Sequence, residues 1–191
     1  MKIGVLGMQG DIREHIQALR QLDCDTQIVK KLKDLKEVDG LIIPGGESTT
    51  ITRLMKLTGI WDEIKEMAKE GFPIFGTCAG LVVLAREITN AKEQETLGLL
   101  DVSVERNGYG RQINSFEAEI EVEGLELPVR GVFIRAPIIT HVGDDVKVLS
   151  SHRGRPVLVA QGKVLAATFH PELVKGESRI HRLFVEMVNG K

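Results

Sequence analysis

Aromatic residues are scarce, at 4% of 191 residues, with one Trp and one Tyr. A chain this poor in rings offers no stacking platform for unpaired bases. Neither sign of charge is in excess: 25 Lys and Arg stand against 27 Asp and Glu, a formal net charge of -2. That balance removes the electrostatic case for nucleic acid or an anionic membrane as partner. No apolar run reaches the length of a membrane span. Cysteine is nearly absent, with only Cys24 and Cys78. Two cysteines make no disulfide framework, and the N-terminal Met1-Lys2-Ile3-Gly4-Val5-Leu6-Gly7 is too short for a signal peptide and reads as a first strand. Free thiols in a reducing cytoplasm are therefore expected. The five histidines, His15, His141, His152, His170 and His181, show neither H-E-x-x-H nor paired-cysteine spacing, so no metal site is expected. No repeat, low-complexity stretch or linker is visible.

What remains is an ordinary globular composition, 42% hydrophobic and 27% charged. A chain of this length buries roughly 70% of its unfolded surface and needs no staples. One domain over residues 1–191 is expected.

The first 90 residues alternate strand and helix. Strands are predicted at 2–6, 26–29, 40–43 and around Pro73. Helices are predicted from Asp11, as cap, through Leu22, then over 49–57 and 61–69. On the first helix His15 shares a face with Ile12, Ile16 and Leu19, which makes it a packed or supporting histidine. Alternation of this kind specifies a parallel, doubly wound α/β sheet flanked by helices, with ligands beyond the carboxyl ends of the strands. Three glycine-bearing turns fall at that edge: residues 7–10, 44–48 and 76–80. The second half reads as strands at 102–105, 116–122, 129–134, 138–142, 146–149, 156–161 and 164–168, then a closing helix over 178–188. These contribute additional antiparallel strands to the same domain.

The chain is organised around Gly76-Thr77-Cys78-Ala79-Gly80, between an apolar strand and an apolar helix. The form G-x-C-x-G is a nucleophile elbow with cysteine for serine. A side chain on so sharp a turn projects out of the sheet, and the flanking glycines let the backbone pass. The N-terminal end of the following helix lies under the sulfur and favours thiolate. Taken alone, Cys78 is equally a small buried apolar residue.

Two further segments bear on the choice. Thr168-Phe169-His170-Pro171-Glu172 follows a strand. Pro171 biases His170 toward an extended backbone, in which residues two apart point the same way. His170 and Glu172 then suit a base held by a carboxylate. Pro44-Gly45-Gly46-Glu47-Ser48 precedes a helix, where Ser48 could be a plain N-cap. It could also aim a backbone N–H at an oxyanion beside the Ala79 N–H, each such donor being worth about 3 kcal/mol of barrier. No Gly-Lys-Ser/Thr follows, so a phosphate loop is not supported.

Together these three motifs resemble the triad-type (class I) glutamine amidotransferases. More narrowly, the segments Ile3-Gly4-Val5-Leu6-Gly7-Met8-Gln9-Gly10, residues 44–50, Glu105-Arg106-Asn107-Gly108-Tyr109-Gly110-Arg111-Gln112 and Phe133-Ile134-Arg135-Ala136-Pro137 resemble the glutaminase subunits of pyridoxal 5′-phosphate synthase. The likeness runs from the first strand to the last helix.

The resemblance implies a flavodoxin-like glutaminase fold and a reaction. L-glutamine is hydrolysed to L-glutamate and ammonia by a Cys78-His170-Glu172 triad, with oxyanion donors at Gly46 and Ala79. It implies substrate contacts at Gly46, Glu47, Ser48, Arg106, Ile134 and Arg135, no cofactor and no metal. It also implies delivery of ammonia to a partner synthase (lyase) subunit in a hetero-oligomer, with activity switched on by docking and rearrangement at Gly45-Gly46. Arginine suits the α-carboxylate of glutamine because its donors form a fork. Rival readings are a glutaminase serving another ammonia-using synthase, a γ-glutamyl hydrolase on the same scaffold, and a glutamine-sensing scaffold with a relic pocket.

Overall fold

The computed structural model describes residues 1–108 and 115–190. The expected motif residues Tyr109, Gly110, Arg111 and Gln112 lie outside the described residues. In chain order the elements are β1 (Lys2–Leu6), α1 (Ile12–Arg20), β2 (Asp25–Val29), α2 (Leu32–Leu35), β3 (Gly40–Ile43), α3 (Ser48–Leu57), α4 (Ile60–Lys69), β4 (Ile74–Thr77) and α5 (Ala79–Leu84). They continue with β5 (Ala85–Ile88), β6 (Leu100–Glu105), β7 (Ser115–Ile120), β8 (Val129–Ile134), β9 (Ile138–Val142), β10 (Lys147–His152), β11 (Arg155–Gln161), β12 (Val164–Ala167) and α6 (Arg179–Val188).

Seven strands form the central sheet in the order β10-β11-β12-β4-β3-β1-β2. The pairings from β12 to β2 are parallel, and β11 is antiparallel to both of its neighbours. The doubly wound expectation therefore holds, and the second half does add antiparallel strands to the same sheet. Central strands β3, β4 and β12 are buried at every position, as strands covered on both faces must be.

Side-chain alternation sorts the core into two layers. Leu41, Ile43, Ile74 and Ala166 pack with Ile51, Met55, Ile64 and the apolar α5 on one face. Ile3, Val5, Ile42, Phe75 and Leu165 pack with Leu19 of α1 and Ile180 and Phe184 of α6 on the other. Two small sheets lie outside the main one, β5-β6-β9 and the hairpin β7-β8.

Three elements depart from expectation. The helix α2 has Lys at three of the six positions 31–36 and shows no apolar stripe in the sequence. The apolar run after Cys78 stops being helical at Leu84, and Ala85–Ile88 becomes a strand parallel to β6. The segment after His170 is not extended, because Pro171–Leu173 form a 3₁₀ turn. Proline at the first position of that turn removes a donor that would have had no partner.

Candidate active site

Four segments converge beyond the carboxyl ends of adjacent strands β1, β3, β4 and β12. Cys78 follows β4 directly and has φ 48° and ψ -102°, a conformation costing about 1–3 kcal/mol for a residue with a Cβ. Its N–H donates to the Ala167 carbonyl at 2.8 Å, which pins the turn to β12. Gly80 is required two residues on, since a Cβ there would stand 2.0 Å from the Ile43 carbonyl oxygen. The thiol lies 3.8 Å from the carbonyl oxygen of Ile134.

His170 is held by its backbone: its N–H donates to the Val132 carbonyl at 2.8 Å. Its ring passes so close to Gly45 that a Cβ at position 45 would lie 2.4 Å from Cε1. Nδ1 sits 2.8 Å from Glu172 Oε1 and 3.3 Å from Asp11 Oδ2. Burial opposes charge on this ring. Hydrogen bonds to Asp11, Cys78 and Glu172, with the Glu172 charge, outweigh burial and push its pKa up to about 12. With Nδ1 engaged by carboxylates, Nε2 is the nitrogen left for the thiol. Glu172 is pushed up by burial and pulled back by its bond to His170.

A cavity of about 320 Å³ opens over the sulfur. Its walls include Gly46, Glu47, Ser48, Cys78, Ala79, Arg106, Ile134, Arg135 and His170, which are nine of the ten expected site residues. The tenth, Glu172, lies behind His170 and is buried. Arg106 donates to Glu47 Oε1 at 2.9 Å and to Gln94 Oε1 at 2.8 Å, while Ser48 donates to the same Gln94 oxygen at 3.3 Å. Ser48 is the first residue of α3, whose cap position is Glu47, so the plain N-cap alternative is not met; its buried hydroxyl bonds Gln94 instead. In the loop, the N–H of Gly45 donates to Thr77 Oγ1 at 3.1 Å and that of Glu47 to Gln9 Oε1 at 2.8 Å. The intervening Gly46 N–H makes no bond to the described residues. The Ala79 N–H, in the first turn of α5, has no intrahelical acceptor.

Several residues here carry no site role in the sequence reading. Asp11 was expected to cap α1. It makes no capping bond, and its carboxylate turns to His170 instead. Its position just after the glycine turn at the sheet edge was the available signal. Gln9 ties down the loop after β3. Asn90 clamps the Arg106 backbone from both sides, accepting from its N–H and donating to its carbonyl at 2.9 Å each. Asp11, His170 and Glu172 also offer three ligand atoms within 4.8 Å of one another. An imidazole proton between two carboxylates accounts for that grouping without an ion.

The sequence profile of the SNO glutamine amidotransferase family matches residues 5–190. The chain belongs to this family. Among members of known sequence, the pyridoxal 5′-phosphate synthase subunit PdxT of Kosmotoga olearia is 54% identical over the whole of both chains. The PdxT of Thermotoga neapolitana is 54% identical over 98% of this chain and all of its own. A crystal structure of a glutamine amidotransferase superposes with a TM-score of 0.94 at 49% identity, covering 98% of each chain. The SNO family assignment agrees with the resemblance carried by the elbow, the glycine loop and the His-Pro-Glu segment.

Proposed function

We propose that this chain hydrolyses L-glutamine to L-glutamate and ammonia, and passes the ammonia to the synthase subunit of pyridoxal 5′-phosphate synthase. The observation that carries the proposal is the convergence of Cys78, His170 and the buried Glu172 on one cavity. Family membership and relatives that bear the name of a pyridoxal 5′-phosphate synthase subunit support the partner.

The roles follow from the geometry. Cys78 Sγ, its proton already held by the His170 imidazolium, attacks the side-chain carbonyl carbon of glutamine as the thiolate. The C=O electron pair moves onto oxygen, where the Gly46 and Ala79 N–H groups meet it. Collapse of this adduct breaks the C–N bond as His170 returns the proton to nitrogen, and ammonia leaves. A thioester on Cys78 remains. Water attacks it, with His170 taking the proton, and glutamate departs as the thiol is restored. Glu172 holds the imidazole by Nδ1 and supports its charged form.

Substrate recognition uses the Arg106–Glu47 pair. The α-carboxylate and α-ammonium of glutamine carry the same two charges side by side, so one amino acid can exchange partners with both members. Arg135 offers a second cation at the rim and Ser48 a hydroxyl, and Ile134 forms the wall beside the sulfur. Residues 1–191 act as one glutaminase domain. The enzyme works in the cytoplasm, where a thiol nucleophile stays reduced; among the described residues no helix is long and apolar enough to cross a membrane.

The test is ammonia release from glutamine, with and without the synthase subunit. Turnover that rises on adding that subunit, and that Cys78→Ala abolishes, is expected. Faster turnover of γ-glutamyl dipeptides than of glutamine would instead make the chain a γ-glutamyl hydrolase.

A further inference from the structure

Beside Glu172 lies a pair of buried histidines that the triad does not use. His15 and His181 are both wholly buried. His15 Nδ1 is 2.9 Å from His181 Nε2. His15 Nε2 lies 3.2 Å from Thr77 Oγ1 and 3.4 Å from Glu172 Oε1. The far nitrogen of the pair, His181 Nδ1, is buried with no hydrogen-bond partner among the described residues.

The carboxylate sets the proton order. At 3.4 Å from Glu172 Oε1, an N–H of His15 is attracted where a ring lone pair would be repelled, so neutral His15 carries its proton on Nε2, facing Glu172 and Thr77. Its Nδ1 is then the acceptor, and His181 donates to it from Nε2. The orphan Nδ1 of His181 is left as a bare lone pair. Both rings are kept neutral by burial, which lowers His15 well below its usual value and takes His181 to about 4. Every proton in the chain points toward the carboxylate.

Resting on the glutaminase assignment above, we propose that His15 and His181 are positioning residues for Glu172. The pair presents an N–H that bonds Thr77 Oγ1 at 3.2 Å and stands 3.4 Å from Oε1, and so keeps a deeply buried carboxylate ionised and in place. The charged and titratable groups around it are few. His170 and Asp11 face Glu172; Glu172 and His170 act on His15 from the site side; and Glu177, paired with Arg179, acts on His181 from the start of α6. His15 also shares Thr77 with the Gly45 N–H. One hydroxyl thus links the glycine loop to the support of the base.

The first test needs no turnover. In ¹⁵N-histidine-labelled protein near pH 7, both rings should show the Nε2–H tautomer. A proton on Nδ1 of either ring overturns the proposal whatever the enzyme's activity. The second test uses the assembled synthase complex. In His15→Phe, kcat should fall about ten- to a hundredfold, glutamine KM should stay within twofold, and the acid limb of the kcat/KM profile should move to higher pH, because Glu172 has lost a donor to its charged form. His15→Gln, which places an N–H near the same point, should restore the limb. An acid limb unmoved in His15→Phe overturns the proposal. If His15→Phe does not fold, His181→Phe provides the same comparison with a smaller shift of the same sign. A wild-type complex with no glutaminase activity would sink the assignment of function and leave the tautomer result standing.

Discussion

Nδ1 of His170 lies 2.8 Å from Oε1 of Glu172, and both side chains are buried. The carboxylate is what holds the Cys78 proton on the buried imidazole. Glu172→Gln keeps the shape and removes the charge. Its kcat for glutamine should fall about 10²- to 10⁴-fold, with a far smaller effect on KM.

Asp11 faces the same nitrogen at 3.3 Å but is partly exposed at the pocket wall. Two carboxylates on one N–H make Asp11 the weaker partner. Asp11→Asn should lower kcat less than Glu172→Gln, and the order of the two variants is the check. A larger loss in Asp11→Asn would exchange their roles.

Arg106 is partly exposed and Glu47 half exposed, so their ion pair contributes little to stability, about 0–1 kcal/mol. Arg106→Ala should raise glutamine KM more than it lowers kcat and leave Tm within a few degrees. Arg106→Lys should recover only part of the KM, because a single ammonium does not replace the fork that reaches both Glu47 and Gln94. An unchanged KM in Arg106→Ala would remove this residue from substrate binding.

The strain at Cys78 has a measurable consequence. With φ 48° and ψ -102°, glycine fits position 78 better than alanine. Cys78→Gly should be more stable than Cys78→Ala by about 1 kcal/mol or more, read from denaturant midpoints, with both inactive. Equal stabilities would place the strain elsewhere.

His181 carries a pH signature. Its folded pKa, about 4, is below the unfolded value, so its contribution is present above pH 6.5 and lost as pH falls toward 4. His15, also lowered, adds to the same slope. His170 is raised to about 12, so its contribution is complete below pH 6.5 and fades as pH climbs toward 12. Wild-type stability should therefore drop between pH 6.5 and 4 more steeply than that of His181→Phe, by up to about 1.4 kcal/mol per pH unit for one proton. Parallel curves would show that His181 is charged in the folded protein.

Much of the fold was legible because strands and helices alternate with glycine at the strand ends. The parallel core strands are apolar runs, and the longer helices α1, α3, α4 and α6 each bury one apolar face. The short elements were hidden: α2 is a single turn, Leu32–Leu35, flanked by lysines, and Ala85–Ile88 continues an apolar helix without a stop signal. At the site, Cys78, His170 and Glu172 were visible through local motifs. Residues that act only across the sheet were not. Asp11 has the sequence signature of a helix cap, and nothing in the sequence separates a cap from a carboxylate turned to a histidine 159 residues away. His15 was legible as a packed face residue, but its partner His181 sits on another helix, and only folding shows the pair.

The central claim is that Cys78 is the nucleophile, activated by His170. Its most direct measurement is mass spectrometry of the assembled complex after treatment with an electrophilic glutamine analogue. One adduct is expected, on Cys78 and not on Cys24, which does not line the cavity, suppressed by excess glutamine and strongly slowed in His170→Ala. Labelling that spares Cys78, or that proceeds at full rate without the imidazole, would contradict the account.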